Sequence, residues 1–226
     1  MTVSTFYPDA HVESNTVDGY VRSLSAHAGV WAVVQGASTA TDAEDDLGLG
    51  SVRIRASATT DEYDRWFRSY YLFDTSSIPD GDTISAVTLS FKSNIVEDHR
   101  TSSLSVGLCS PASDTALVAA DWDAITFTKQ AADMTFASIN TDATTYNVFT
   151  FNATGRGNVN KTGISKFSIL ITIDMEDDDP GWISLKDDEV NIYNAEETVS
   201  GTGDARPRLQ VTHAAAPFIP SILMIS

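Results

Sequence analysis

The stretch RSYYLFDTSSIPDGDTISAVTLSFK, residues 68–92, decides the fold class. Ser69, Tyr71 and Phe73 alternate with Tyr70, Leu72 and Asp74, a period of two in which both faces carry large side chains. That pattern predicts a strand covered on both sides. Pro79 presets φ for a turn, Asp80-Gly81 supplies residues that tolerate positive φ, and Asp82 can bond back to the backbone. Beyond the turn Val87, Leu89 and Phe91 lie opposite Thr88, Ser90 and Lys92, so a second strand returns with one apolar face.

The same period recurs outward from this hairpin. In SVRIRASA, residues 51–58, Val52, Ile54, Ala56 and Ala58 face away from Ser51, Arg53, Arg55 and Ser57. SLSVGLC, 103–109, turns Leu104, Val106 and Leu108 inward. Further strands are predicted in TTYNVFTF (144–151), WISLKDDEVNIY (182–193) and RPRLQVTH (206–213), and around VWAVV (30–34) between Gly29 and Gly36. KFSILITIDM, 166–175, carries the longest one-sided apolar set, Phe167, Ile169, Ile171, Ile173 and Met175, and reads as a central strand. The one helical signal is NATGRGNVNKTG, 152–163, where Asn152 or Thr154 can cap a short turn and Gly163 can end it. Some nine or ten strands without βαβ alternation imply an all-β fold, an antiparallel two-sheet β-sandwich of jelly-roll type. One sandwich domain over residues 1–213 is expected, with a C-terminal apolar arm over 214–226.

Composition limits the function. The 226 residues carry 42% hydrophobic and 20% charged side chains, enough to build a core. A net charge of −17 with only 14 basic residues argues against nucleic acid, which demands clustered Lys and Arg. The single cysteine, Cys109, excludes an internal disulfide and reads as a buried thiol. MTVSTFYPDA lacks a basic segment followed by an apolar run, so synthesis in a cytoplasm without a Sec signal is expected. AAAPFIPSILMIS, 214–226, is too short and too interrupted by proline to cross a bilayer, and no membrane partner is expected.

The run Arg68 to Leu89 resembles the DNRLRE-type β-sandwich domains, in which an Arg-rich strand ends in Phe-Asp, followed by an Ile-Pro turn and an I-x-x-A-x-L strand. ARPRLQVTH, 205–213, is similar to that family's closing strand. YPDAHVESNTVDGYV, 7–21, looks like the leading segment of a group of such proteins from phage and uncultivated bacteria, so the likeness spans residues 3–213. The resemblance implies a jelly-roll module of cell surfaces, secreted polymers or virions, in some cases classed with carbohydrate-binding modules. Secreted members carry a signal peptide or sit within longer chains. A module without one fits a phage structural protein released by lysis.

Motifs for chemistry are sparse. His11, His27, His99 and His213 show no zinc spacing, and neither a G-x-S-x-G elbow nor a phosphate loop is present. Acidic clusters stand at 42–46, 61–64, 174–179 and 186–189. Glycoside hydrolysis needs two carboxylates opposed across a cleft, which no spacing here identifies, and no catalytic residue is assigned. Hard cations take several oxygens from loops, so calcium is the one cofactor that the acidic runs invite. Its ligand pool would be Asp174, Glu176, Asp177, Asp178 and Asp179, against the blander reading of a solvated loop. Trp122 and Trp182 are the candidate flat platforms for glycan rings, with core packing as their alternative.

The apolar tail holds Phe218, Ile219, Ile222, Leu223, Met224 and Ile225 after the last predicted strand. Either it folds back on its own sandwich or it docks on a neighbouring subunit, a second copy or another virion protein, and docking is the preferred reading. The expectation is a non-enzymatic structural protein on a virion or extracellular surface, a capsid decoration or a fibre or tail element. The alternative is a carbohydrate-binding or adhesion module for surface glycans.

Overall fold

The computed structural model describes residues 1–24, 28–197 and 204–216, and they form a two-sheet antiparallel β-sandwich. The smaller sheet orders β1 (Thr2–Phe6), β14 (Arg208–Ala215), β6 (Asp82–Phe91) and β11 (Asn147–Thr150), so chain start and end pair side by side. The larger sheet runs β10 (Met134–Thr135), β8 (Ser103–Cys109), β12 (Ile164–Ile171), β5 (Tyr63–Asp74), β4 (Leu49–Ala56), β13 (Asp187–Tyr193), β7 (Ser93–Glu97). On it β2 (Asp18–Ser23) joins β5 to β3 (Asp42–Glu44), and β9 (Ile125–Thr126) flanks β8.

β5 organises the larger sheet because its sequence buries both faces. From Trp66 to Phe73 every residue is buried, and the strand pairs with β2, β4 and β12 along its length. Between the sheets Val87, Leu89 and Phe91 of β6, Phe149 of β11 and Leu209 and Val211 of β14 meet Val106, Phe167 and Ile169 of the larger sheet in one continuous core. Phe151 packs edge-on against Phe167 with ring centroids 4.9 Å apart. Cys109 is buried, and burial pushes its thiol well above the ordinary range. The turn between β5 and β6 closes through Asp82 N–H on Pro79 C=O at 2.9 Å. It uses no positive φ at Asp80 or Gly81. The Asp82 carboxylate does not bond back to the turn but takes His213 Nδ1 at 2.6 Å.

One predicted strand is helical, and another ends in a helical turn. VWAVV forms α1 (Trp31–Gln35), with Trp31 and Val34 buried and Ala32 and Val33 exposed, the i, i+3 spacing of a helix. β12 is interior, as its composition demands, but ends at Ile171; Thr172–Glu176 is a helical turn, α2 in chain order being Ala153–Gly157 and this one α3. In a strand Asp174 and Met175 would face opposite ways, whereas here both are buried. The short α2 is capped as expected: Asn152 Oδ1 accepts from Gly155 N–H at 2.9 Å, and the turn ends at Gly157 rather than Gly163. Among the described residues no helix is long and apolar enough to cross a membrane.

Candidate functional site

The acidic run 174–179 disperses rather than converging. Asp174 is buried and holds Arg68 through both oxygens, at 2.8 and 2.7 Å, while Trp66 Nε1 donates to it at 2.8 Å. Glu176 pairs with Lys129, Asp177 accepts from Trp31 Nε1 at 2.9 Å, and Asp179 accepts from Tyr63 Oη at 2.7 Å. Asp178 is exposed. Four of the five carboxylates are drawn to four different donors and Asp178 faces solvent, so the run does not converge on one point. Among the described residues no three His, Cys, Asp or Glu side chains stand ready as a metal site. The other acidic clusters likewise meet arginines: Asp42 and Glu44 on Arg22, Asp64 on Arg55, Asp187 on Arg53, and the buried Asp188 on Arg100.

Arg68 also explains the tryptophans. Its Nη1 donates to Trp122 C=O at 2.7 Å, its Nη2 to Gln35 C=O at 3.2 Å, and its guanidinium lies 4.0 Å from the Trp122 ring centroid. Trp66 stands 4.4 Å from Trp31 and 6.4 Å from Trp122, centroid to centroid. One buried arginine therefore ties β5 to α1, to α3 and to the 3-10 turn Ala119–Asp123. Trp122 is 0% exposed and cannot be a glycan platform, because its ring faces form the wall of this cage. Trp182 is half-buried, packs on the core and donates Nε1 to Ser57 C=O at 3.1 Å. The histidines stay apart: His11 meets Glu13, His99 meets the Asp187 carbonyl, and His213 sits buried between Ser4 and Asp82. His27 and the tail residues Phe218, Ile219, Ile222, Leu223, Met224 and Ile225 lie outside the described residues.

Two surface features emerge that the sequence did not single out. Tyr7 and Tyr146 are each covered by a guanidinium, Arg206 at 4.1 Å and Arg208 at 3.8 Å from the ring centroids, and Lys92 stands 5.0 Å from Tyr146. Beside Tyr7 and Arg206 opens a depression of about 520 Å3 that also touches Asp9 and Asp74. Both carboxylates cap turns. Asp9 Oδ2 takes Ser14, Asn15 and Thr16, and Asp74 Oδ1 takes Ser76. Partial burial works to raise Asp9, but its hydrogen bonds outweigh that and hold its carboxyl below the ordinary range.

The second feature is the outer face of the smaller sheet. Register aligns Val3, Thr212 and Ala86 in one row and Thr5, Gln210, Thr88 and Thr150 in the next, with Val148 beyond. These residues stand opposite the buried Leu209, Val211, Leu89 and Phe149, and the row of Val148 continues through Ser90 to Arg208. On a molecule with a net charge of −17 these three rows hold no carboxylate, and Arg208 is their one charged side chain. Only the pairing of four strands distant in sequence assembles them.

Neither a family model nor a curated protein matches this chain.

Proposed function

We propose that this protein is a non-enzymatic structural component of a phage virion surface, a capsid decoration or a fibre or tail element, that docks on neighbouring subunits. The observation that carries this reading is the outer face of the smaller sheet, whose rows from Val3 to Val148 hold no carboxylate. Copies carrying strong negative charge repel one another, and contact is cheapest where that charge is missing. Val3, Ala86 and Val148 offer apolar area there, and Thr and Gln offer hydrogen bonds. β1 and β11 are the open edges of the same sheet, and the apolar stretch 218–225 follows β14 in the chain. The DNRLRE-type resemblance is part of this proposal and supports the same class of role.

Light scattering on the full chain tests the reading. Screening the negative surface with salt is expected to promote defined oligomers, and the double variant Thr5→Glu, Thr150→Glu is expected to keep the chain monomeric. A wild-type chain that stays monomeric at every concentration and salt, and that binds glycans through Trp182, would favour the adhesion alternative instead.

A further inference from the structure

Ser4, His213 and Asp82 stand on three neighbouring strands, β1, β14 and β6. Register sets Thr2 and Ile84 opposite His213, so Ser4 and Asp82 each lie two residues along their strand from the position facing the histidine. Diagonal neighbours of this kind are within reach of a long side chain. Here they meet. Ser4 Oγ lies 2.9 Å from His213 Nε2, and Asp82 Oδ2 lies 2.6 Å from His213 Nδ1. The imidazole is buried, the Asp82 side chain is 13% exposed, and Ser4 is half-buried on β1, an open edge of the sheet. The ring is shielded, while the residue that carries the hydroxyl keeps contact with solvent.

An ionised carboxylate only accepts hydrogen bonds, so in the neutral ring Nδ1 carries the proton and Nε2 presents its lone pair to the Ser4 O–H. A hydroxyl held on a base that a carboxylate orients is the arrangement that makes serine nucleophilic, and it is defined by geometry, not by order along the chain. Among the described residues Ser4 is the only serine or threonine hydrogen-bonded to an imidazole. We propose that Ser4 is an activated nucleophile that accepts one acyl group from an activated ester, with His213 as its base and Asp82 as the residue that positions the ring. Ser4 Oγ gives its proton to His213 Nε2 and forms a bond to the acyl carbon. The bond from that carbon to the ester oxygen breaks, and the leaving alcohol takes the proton from Nε2. The Asp82 carboxylate balances the imidazolium in between. The product is a chain acylated on β1. One such transfer modifies the protein and is not turnover, so it goes beyond the docking role and leaves that role standing.

Exposing the full chain to p-nitrophenyl acetate tests it, with the acetylated residues located by peptide mass spectrometry. Ser85 on β6, an exposed hydroxyl that bonds Thr212 C=O at 3.3 Å and has no imidazole, is the internal reference. Base assistance is worth about 100-fold or more, so native Ser4 should be acetylated at least about 100-fold faster than Ser85, and urea should abolish the difference. His213→Ala should remove the advantage, and free imidazole should restore part of it, which a histidine of purely structural role would not show. Asp82→Asn sets an amide against Nδ1 and should slow Ser4 as the ring proton moves to Nε2, a shift that the imidazole nitrogen NMR spectrum reads. Melting curves restrict these comparisons to folded variants. Equal acetylation of Ser4 and Ser85 in the native wild type would overturn the proposal, whatever the variants do. So would a Ser4 rate that a folded His213→Ala chain leaves unchanged.

Discussion

At the scale of single residues, Arg68 is the side chain on which most of the buried polar structure depends. Its guanidinium fork matches the Asp174 carboxylate and leaves donors for two carbonyls, an arrangement that a lysine cannot reproduce. Arg68→Met is expected to destabilise the fold by about 3–5 kcal/mol, because Asp174 would remain as an uncompensated buried charge. Urea denaturation measures this, and a loss below about 1 kcal/mol would contradict the buried-pair account. The Cys109 thiol, raised by burial, should be inert to thiol reagents in the folded protein and fully reactive in denaturant. Rapid labelling of the native chain would show that β8 is more open than its packing implies. Asp18, Glu13 and Glu196 were unremarkable as letters in the chain. Nothing in their spacing signals that His11 meets both Glu13 and Glu196 while Asp18 accepts from Ala195 N–H.

At the scale of elements, local chemistry sets where the short helices start. Asn152→Ala removes the cap of α2 and is expected to cost about 1 kcal/mol, read from the shift in the denaturation midpoint. Gly19 on β2 has φ +149, and a Cβ there would lie 2.2 Å from the Glu44 carbonyl oxygen of the paired strand. Gly19→Ala is therefore expected to destabilise by roughly 2–4 kcal/mol, through strain and forced separation of β2 from β3. A neutral Gly19→Ala would refute that close approach. Period two was legible wherever one face met solvent, as in β4 and β6. It misled at VWAVV and ITIDM, where consecutive apolar residues suit either period, and tertiary packing chose the helix. For ITIDM the choice follows from Arg68, since only a helical turn carries Asp174 inward beside Met175.

At the scale of the whole molecule, buried acids set the response to pH. Burial and neighbouring carboxylates raise Asp18 well above its ordinary value, and burial first of all raises Glu189 and Glu196. Raised folded values mean that the native state holds more protons than the unfolded chain across that interval. Stability is then fully present below the unfolded carboxylate values of about 4 and is lost as pH climbs through the folded ones. Tm is expected to rise as pH falls from about 7 to about 5. Asp9 and Asp204, held below their ordinary values, work in the opposite sense as the pH drops below about 4. A Tm that falls steadily from pH 7 to pH 5 would refute this. The sequence by itself determined the all-β class, the both-sides burial of β5, the interior place of β12 and the buried thiol, because alternation and composition report directly on which side of a strand meets water. Tertiary structure alone decided which acids meet arginines, that Trp122 is a core wall rather than a platform, and that four remote strands present one face whose rows from Val3 to Val148 hold no carboxylate. Those outcomes depend on contacts between segments up to two hundred residues apart, and separation along the chain holds no record of which segments will pair.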